Sequence, residues 1–284
     1  VLAFLVSIFV FSARTEPRPE IFSYLIFAAY LLVLYRTRIS NFDRDSRLRT
    51  GTFSEKFRIS NFRFSGLWLL PILQLFWVNL HIYFVIGPII FLFYLIDRAI
   101  NENLNFKNWY LIKNLKLKIG VFVSIILANL ANPNFITGAL YPLNVLKEYG
   151  YSVAENSSLF FLAKYFGRWA PQDKLFLISL FILTGSFIIY FWKNKRIKNR
   201  IFDVLLIALT AGLSFKMQRN IPLYALGLWP IMTENLSGIF NFQLPIFNKF
   251  STTNFQKLLH FIFILILTAS IYWVTSGRFY NWLN

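Results

Sequence analysis

Cysteine is absent from this chain of 284 residues, and histidine occurs only twice, as His81 and His260. Without cysteine there is no disulfide framework, no thiolate-bound zinc or iron–sulfur cluster and no thiol nucleophile. Two histidines are too few for a histidine-rich metal cluster. Acidic residues are also scarce, 12 against 29 Lys and Arg, so the formal net charge is +17.

Charged residues of all kinds are few, at 14%, while 57% of the residues are hydrophobic and 20% are aromatic. This excludes intrinsic disorder and an average soluble domain, which carries about 25% charged residues. The sequence predicts an all-α, polytopic transmembrane bundle, with residues 1–284 as one integral membrane domain. About nine short apolar segments are candidate spans: 1–13, 21–35, 66–80, 82–97, 119–131, 175–192, 201–216, 221–233 and 259–275.

The first residues lie in an apolar run without an initiator Met, and the chain ends without a polar tail. The opening run also lacks the basic leader and cleavage site of a signal peptide. We therefore expect the chain to be an internal piece of a longer protein.

The basic residues are concentrated in alternate connections between the predicted spans. Because basic loops stay in the cytoplasm, these connections define the cytoplasmic side. There they fix orientation and contact anionic lipids. Bases spread over separate loops disfavour a nucleic-acid partner. The four connections are 36–65, 98–118, 193–200 and 234–258.

The opposite, extracytoplasmic side receives a short loop that contains Arg18 and Glu20. Pro17 and Pro19 restrict the backbone beside both residues and would hold them in place. The alternative is a rigid turn with paired charges.

A second external group lies near the end of the predicted span 66–80. Gln74, Trp77 and His81 are spaced to share one helical face, and Asn79 lies beside them. A polar face within a membrane must turn inward or line a wet cavity. The alternative is hydrogen bonding between helices, with Trp77 at the interface.

The longest external segment, 131–174, is predicted to be an ordered extracytoplasmic loop on the membrane surface. It contains Tyr141 and Glu155, and the alternative for Glu155 is an ordinary solvated carboxylate. Loops of this length in compact proteins tend to be functional or disordered. Four charged residues near its end are interpreted as a rim at headgroup level: Lys164, Arg168, Asp173 and Lys174.

The strongest single candidate is Arg219, which is followed by Asn220 at the junction of two short spans. Arginine binds phosphate oxygens in a bidentate fork, and helix N-termini also favour anions. The alternative is an arginine that extends to the interface. A last polar group, with Arg278 and Asn281, lies where the chain leaves the final span.

The order of these blocks resembles that in bacterial polytopic membrane proteins related to the GT-C glycosyltransferases, the class of protein mannosyltransferases and arabinose transferases. The resemblance implies an enzyme of the bacterial plasma membrane that transfers a sugar from a polyprenyl-phosphate donor at the extracytoplasmic face. The matching blocks are Arg18-Pro-Glu20, Leu70-Pro with Trp77-Val-Asn-Leu-His81, Ala131-Asn-Pro133 with Tyr141-Pro-Leu143, Arg219 to Ala225, and Gly277 to Asn281.

The resemblance also implies roles for the external residues. The catalytic acid of this class usually lies in a first external loop, often with a divalent metal, and that loop would precede Val1. Glu20 or Glu155 would then substitute as the base, with no metal ligand in this chain. The substrate-binding residues would be Arg18, Gln74, Trp77, Asn79, His81, Tyr141, Arg219, Asn220, Arg278 and Asn281. Two alternatives remain open: an O-antigen ligase or polymerase-like enzyme, and a transporter or flippase of lipid-linked substrates.

Overall fold

The computed structural model describes residues 7, 19–50, 66–101, 109–145, 156–194 and 200–240. Throughout these ranges the regular structure is helical and contains no strand, which confirms the all-α class for this part of the chain. Its α-helices are α1 (Glu20–Thr50), α2 (Leu69–Leu80), α3 (Ile86–Asn101), α4 (Trp109–Ala128), α5 (Phe135–Val145), α6 (Leu159–Phe166), α7 (Pro171–Asn194), α8 (Ile201–Lys216) and α9 (Ile221–Phe240). Short 3-10 turns precede α2, α3 and α9.

The chain divides into two compact units. The first unit comprises Thr15–Ser152 and Ile197–Ala208, and the second comprises Val1–Arg14, Val153–Arg196 and Leu209–Asn284. Helix α8 begins in the first unit and ends in the second. The prediction of one integral membrane domain stays a prediction.

In the first unit, α2 packs against both α1 and α4, and α3 packs against α4. The core between these helices is aromatic. The ring of Trp77 lies 5.5 Å from that of Tyr30, and the ring of Phe91 stacks on Phe122 at 6.0 Å. Buried aromatic residues supply large contact areas to this core.

The break between α2 and α3 has a local cause. His81 is extended, with φ −163° and ψ 149°, and its Nδ1 accepts a hydrogen bond from the backbone N–H of Tyr83 at 3.4 Å. Pro88 is the third residue of α3, where the backbone N–H would lack a partner within the helix in any case. The predicted pair of short helices meeting at residues 79–81 is confirmed.

In the second unit, α7 packs against α9. The ring of Phe176 meets that of Tyr224 edge-on at 4.8 Å, and Asn235 Nδ2 donates a hydrogen bond to Ser186 Oγ at 2.9 Å. Polar pairs of this kind are typical of helices that associate within a membrane.

Three segments in the described ranges are long and apolar enough to cross a membrane: Glu20–Arg38, Ile82–Asn101 and Pro171–Trp192. Large apolar side chains point outward along them. Phe181 and Trp192 are 81% and 84% exposed, and Leu25 is 68% exposed. An apolar surface of this extent indicates a membrane protein. The full set of nine spans and the GT-C-like arrangement stay predictions, and segments 259–275 and nearly all of 1–13 lie outside the described residues.

The structure corrects two parts of the predicted organisation. Helix α1 continues to Thr50, so the predicted cytoplasmic connection 36–65 begins as helix. The predicted loop 131–174 contains α5 and α6 and the start of α7. Helix α6 has clear end signals, because the Ser158 hydroxyl caps its first turn and Gly167 ends it in the left-handed region at φ 64°.

Candidate functional site

A titratable group lies at the start of α1, in the first unit. Glu20 is 9% exposed, and the hydroxyl of Tyr24, one turn along, donates to its Oε2 at 3.4 Å. The ring of Tyr83 lies 6.5 Å from that of Tyr24, and the ring of His81 lies 4.5 Å from Tyr83. We call Glu20, Tyr24, His81 and Tyr83 the Glu20 cluster. Carboxylate and imidazole are the commonest general acids and bases in proteins.

Asn79 belongs to the same unit and ties two elements together. Its Nδ2 donates to the backbone oxygens of Leu75 at 2.9 Å and Ala131 at 2.8 Å. Asn132 fixes the turn between α4 and α5, because its Nδ2 donates to the oxygens of Asn129 and Phe135. Asn132 of the Ala131-Asn-Pro motif therefore has a structural role in this turn.

Gln74 and Trp77 are fully buried between helices. The Tyr30 hydroxyl donates to Gln74 Oε1 at 2.7 Å, and Gln74 Nε2 donates to the oxygen of Phe84 at 2.9 Å and to Asn129 Oδ1. Trp77 Nε1 donates to Ser23 Oγ at 2.9 Å. Interhelical hydrogen bonding, the alternative for these two residues, is what the contacts show. The predicted shared face ends at Leu80, because His81 lies beyond the helix.

Gly87 lies close to the side chains of Gln74 and Tyr30. A Cβ added at Gly87 would collide with Gln74 Oε1 and would lie 3.2 Å from the Tyr30 hydroxyl. We expect Gly87→Ala to lower the free energy of unfolding by about 1–3 kcal/mol, through overpacking and loss of the Gln74 hydrogen bonds. Thermal unfolding in detergent measures this. Gly120→Ala is the matched control, since nothing lies within 4 Å of its added Cβ and alanine favours helix. Equal melting points for the two variants would contradict the prediction.

A buried group of charges that the sequence analysis did not identify lies at the far end of α1. Arg38 Nη1 lies 2.9 Å from both carboxylate oxygens of Asp203, and Arg200 Nε lies 2.9 Å from Oδ2. The Tyr35 hydroxyl donates to Asp203 Oδ1 at 2.7 Å. Asp97 Oδ1 accepts the backbone N–H of Phe202 at 3.3 Å. We call the five side chains involved the Asp203 cluster: Tyr35, Arg38, Asp97, Arg200 and Asp203.

The two clusters of the first unit are separated along α1. Glu20 and Arg38 lie 18 positions apart on this helix, which at 1.5 Å per residue is about 27 Å. This is close to the ~30 Å thickness of a bilayer's hydrocarbon core. Both polar clusters can therefore lie at membrane interfaces while the apolar segment between them crosses the lipid.

The second unit contains the predicted Arg219 site. Arg219 lies in the 3-10 turn Gln218–Asn220 between α8 and α9, at the predicted junction of two helices, and Pro222 is the second residue of α9. Asn220 is buried, and its Nδ2 donates to the oxygen of Leu213 at 2.9 Å. That contact gives Asn220 a structural role in holding the turn.

The remaining predicted site residues are distributed as follows. Tyr141 lies on α5 with about half of its surface exposed. Glu20, Gln74, Trp77, Asn79, His81 and Tyr141 belong to the first unit, whereas Arg219 and Asn220 belong to the second. A single pocket made by all of them stays a prediction. Arg18, Glu155, Arg278 and Asn281 lie outside the described residues.

Within the described ranges, no three His, Asp or Glu side chains come together as a metal-binding group. Comparison with known proteins adds no assignment: no family model matches the chain, and neither a curated protein nor a solved structure is significantly similar to it.

Proposed function

We propose that this chain is the membrane-embedded part of a glycosyltransferase-like enzyme. It transfers a sugar from a polyprenyl-phosphate donor at the extracytoplasmic face of a bacterial plasma membrane. The observation that carries the proposal is the Glu20 cluster, a nearly buried carboxylate linked through two tyrosines to His81, at the start of an apolar helix long enough to span. An ionisable group in this position is costly and is a functional candidate.

In the proposed reaction, the Glu20 carboxylate accepts the proton of an acceptor hydroxyl as its oxygen attacks the anomeric carbon of the sugar. The bond between that carbon and the phosphate oxygen breaks, and polyprenyl phosphate leaves with both bonding electrons. The proton then passes from Glu20 to solvent. General-base catalysis of this kind contributes about 10²–10⁴-fold to a rate.

Arg219 is the proposed contact for the donor phosphate. Arg219 lies in the 3-10 turn that precedes α9. A guanidinium group is positively charged and can donate two parallel hydrogen bonds to the oxygens of a phosphate. A fixed positive charge would stabilise the departing phosphate without moving during the reaction. The lipid tail of the donor would remain in the bilayer.

The Asp203 cluster supports the proposed multi-pass arrangement. It joins the end of segment 21–35, the end of segment 82–97 and the start of segment 201–216. Strict alternation of the predicted spans puts these three ends on one membrane side, the cytoplasmic one. The Glu20 cluster would then lie on the other side, where polyprenyl-phosphate donors are used.

The test uses the full-length protein in proteoliposomes with polyprenyl-phosphate donors that carry radiolabelled sugars. We expect label to move from the lipid to a hydroxylated acceptor, at a rate proportional to the amount of protein. Movement of the intact lipid-linked sugar between leaflets, with no glycosyl product, would replace the proposal with a transporter. Transfer of a preassembled oligosaccharide in place of one sugar would favour the ligase-like alternative.

A further inference from the structure

The second unit contains a cavity of about 130 Å³ whose lining includes two residues of the predicted headgroup-level rim, Arg168 and Asp173. It lies where the end of α6, the first turn of α7 and the 3-10 turn Gln218–Asn220 meet, and its lining includes Phe166, Arg168, Gln172, Asp173 and Gln218. A single water molecule needs about 10–15 Å³ of such space. The cavity therefore has room for a polar group larger than one water.

Asp173 is fully buried in the wall of this cavity, although the sequence places it in a charged rim. Its Oδ1 accepts a hydrogen bond from Gln218 Nε2 at 2.8 Å. Its Oδ2 is buried and forms no hydrogen bond with any residue that the structure describes. A buried carboxylate oxygen without a donor is unfavourable, and a hydroxyl group that entered the cavity beside Asp173 would stabilise it.

The lining chemistry restricts what that group is. Asp173 offers an acceptor, while Arg168 and the amides of Gln172 and Gln218 offer donors in the same cavity. With one base and one acid, the charged residues of the lining sum to zero, which favours a neutral polar group over an ion of either sign. Hydroxyl groups both donate and accept, and Phe166 adds an apolar wall. This combination fits one edge of a sugar ring.

We propose that this cavity is a subsite for a sugar, in which Asp173 Oδ2 accepts a hydrogen bond from a sugar hydroxyl. The identification of the hydroxyl-bearing ligand as a sugar rests on the proposed function. Gln218 positions the carboxylate, and its backbone N–H donates to the oxygen of Ser157 at 3.2 Å, which ties the turn to the segment before α6.

The test measures binding of free monosaccharides, a panel of hexoses and pentoses, to the full-length protein in nanodiscs by saturation-transfer NMR. We expect binding by the unmodified protein and a loss of affinity of about 10- to 100-fold in Asp173→Asn, because a charge-assisted acceptor is removed. The amide oxygen of Asn still accepts from Gln218 and the uncompensated charge is gone, so the melting point should be unchanged or higher. Glu234→Gln, on the exposed side of α9, is the matched control and should bind normally.

A second variant, Leu162→Phe, enlarges an apolar side chain of the lining and keeps the Asp173 carboxylate, and it too should weaken binding. Binding that is unchanged in both variants would overturn the subsite, as would a complete lack of monosaccharide binding. The assay contains neither donor nor acceptor. Sugar binding that depends on Asp173 would therefore support the subsite even if the protein transfers no sugar. Transfer without such binding would overturn the subsite alone.

Discussion

Asp203→Ala is expected to lower the free energy of unfolding by about 3–5 kcal/mol, because it removes one partner of a buried ion cluster and leaves the others. Asp203 is fully buried, and so is Arg200, while the Arg38 side chain is only 16% exposed. Without the carboxylate, the guanidinium groups of Arg38 and Arg200 would lose their shared counter-ion, and the Tyr35 hydroxyl would lose its acceptor. The measurement is unfolding of the purified full-length protein in detergent, by denaturant and by heat.

The control for this change is Glu234→Ala, which removes an acid from an exposed position on α9. Even an exposed ion pair is worth only about 0–1 kcal/mol, so the loss of stability in this control should be well below that of Asp203→Ala. Asp203→Asn separates charge from hydrogen bonding, since the amide keeps an acceptor for Tyr35 but carries no charge. We expect Asn to fall between the native residue and Ala. A loss below about 1 kcal/mol in Asp203→Ala would show that the Asp203 carboxylate does not hold the end of α1 to the start of α8.

Helix positions were predictable where a local signal sets them. The apolar run 201–216 coincides with α8, and the break at residues 79–81 coincides with the end of α2. Both follow from short-range properties of the chain: the first from hydropathy, and the second from the polar residues Asn79 and His81 between two apolar runs. Helices α5 and α6 were missed because they are short. Ser158 and Gly167 were the available end signals for α6.

The Asp203 cluster was not predictable in the same way. Its contacts join residues separated by more than a hundred positions, such as Asp97 with Phe202 and Arg38 with Asp203. Hydropathy says where a helix is apolar but not which helices pair. A signal was nevertheless present, because Asp97 and Asp203 are acids within or beside apolar runs in a chain with only 12 acids. The distribution of basic residues indicates the membrane side of these helix ends, but it does not indicate which residues pair there.

Some of the predicted binding residues are buried and already hydrogen-bonded within the protein. Gln74, Trp77 and Asn220 have hydrogen-bond partners inside their own units, which gives each of them a structural role. Asp173 shows the opposite case, since an apparently superficial rim residue is fully buried with one oxygen unsatisfied among the described residues. Sequence alone could not distinguish these cases, because burial depends on helix packing and not on spacing along one helix.

Glu20→Gln is expected to reduce the rate of sugar transfer by about 10²–10⁴-fold while leaving the fold intact. The amide has the size of the carboxylate and can still accept the Tyr24 hydrogen bond that is seen at 3.4 Å, but it cannot take a proton from an acceptor hydroxyl. The effect should fall on kcat and not on KM, because proton transfer occurs in the transition state. The measurement combines transfer from a radiolabelled polyprenyl-phosphate sugar in proteoliposomes with the melting point of the same preparation.

Two further variants show whether Glu20 acts as the base or only supports the end of α1. Glu234→Gln makes the same chemical change at an exposed position and should leave both the rate and the melting point unchanged. Tyr24→Phe removes the hydroxyl that contacts Glu20, so it should slow transfer by much less than Glu20→Gln. A rate within about threefold of the native value in Glu20→Gln would exclude the carboxylate as general base, given the size of that effect. If His81→Gln then abolished transfer at an unchanged melting point, the imidazole at the other end of the cluster would take that role.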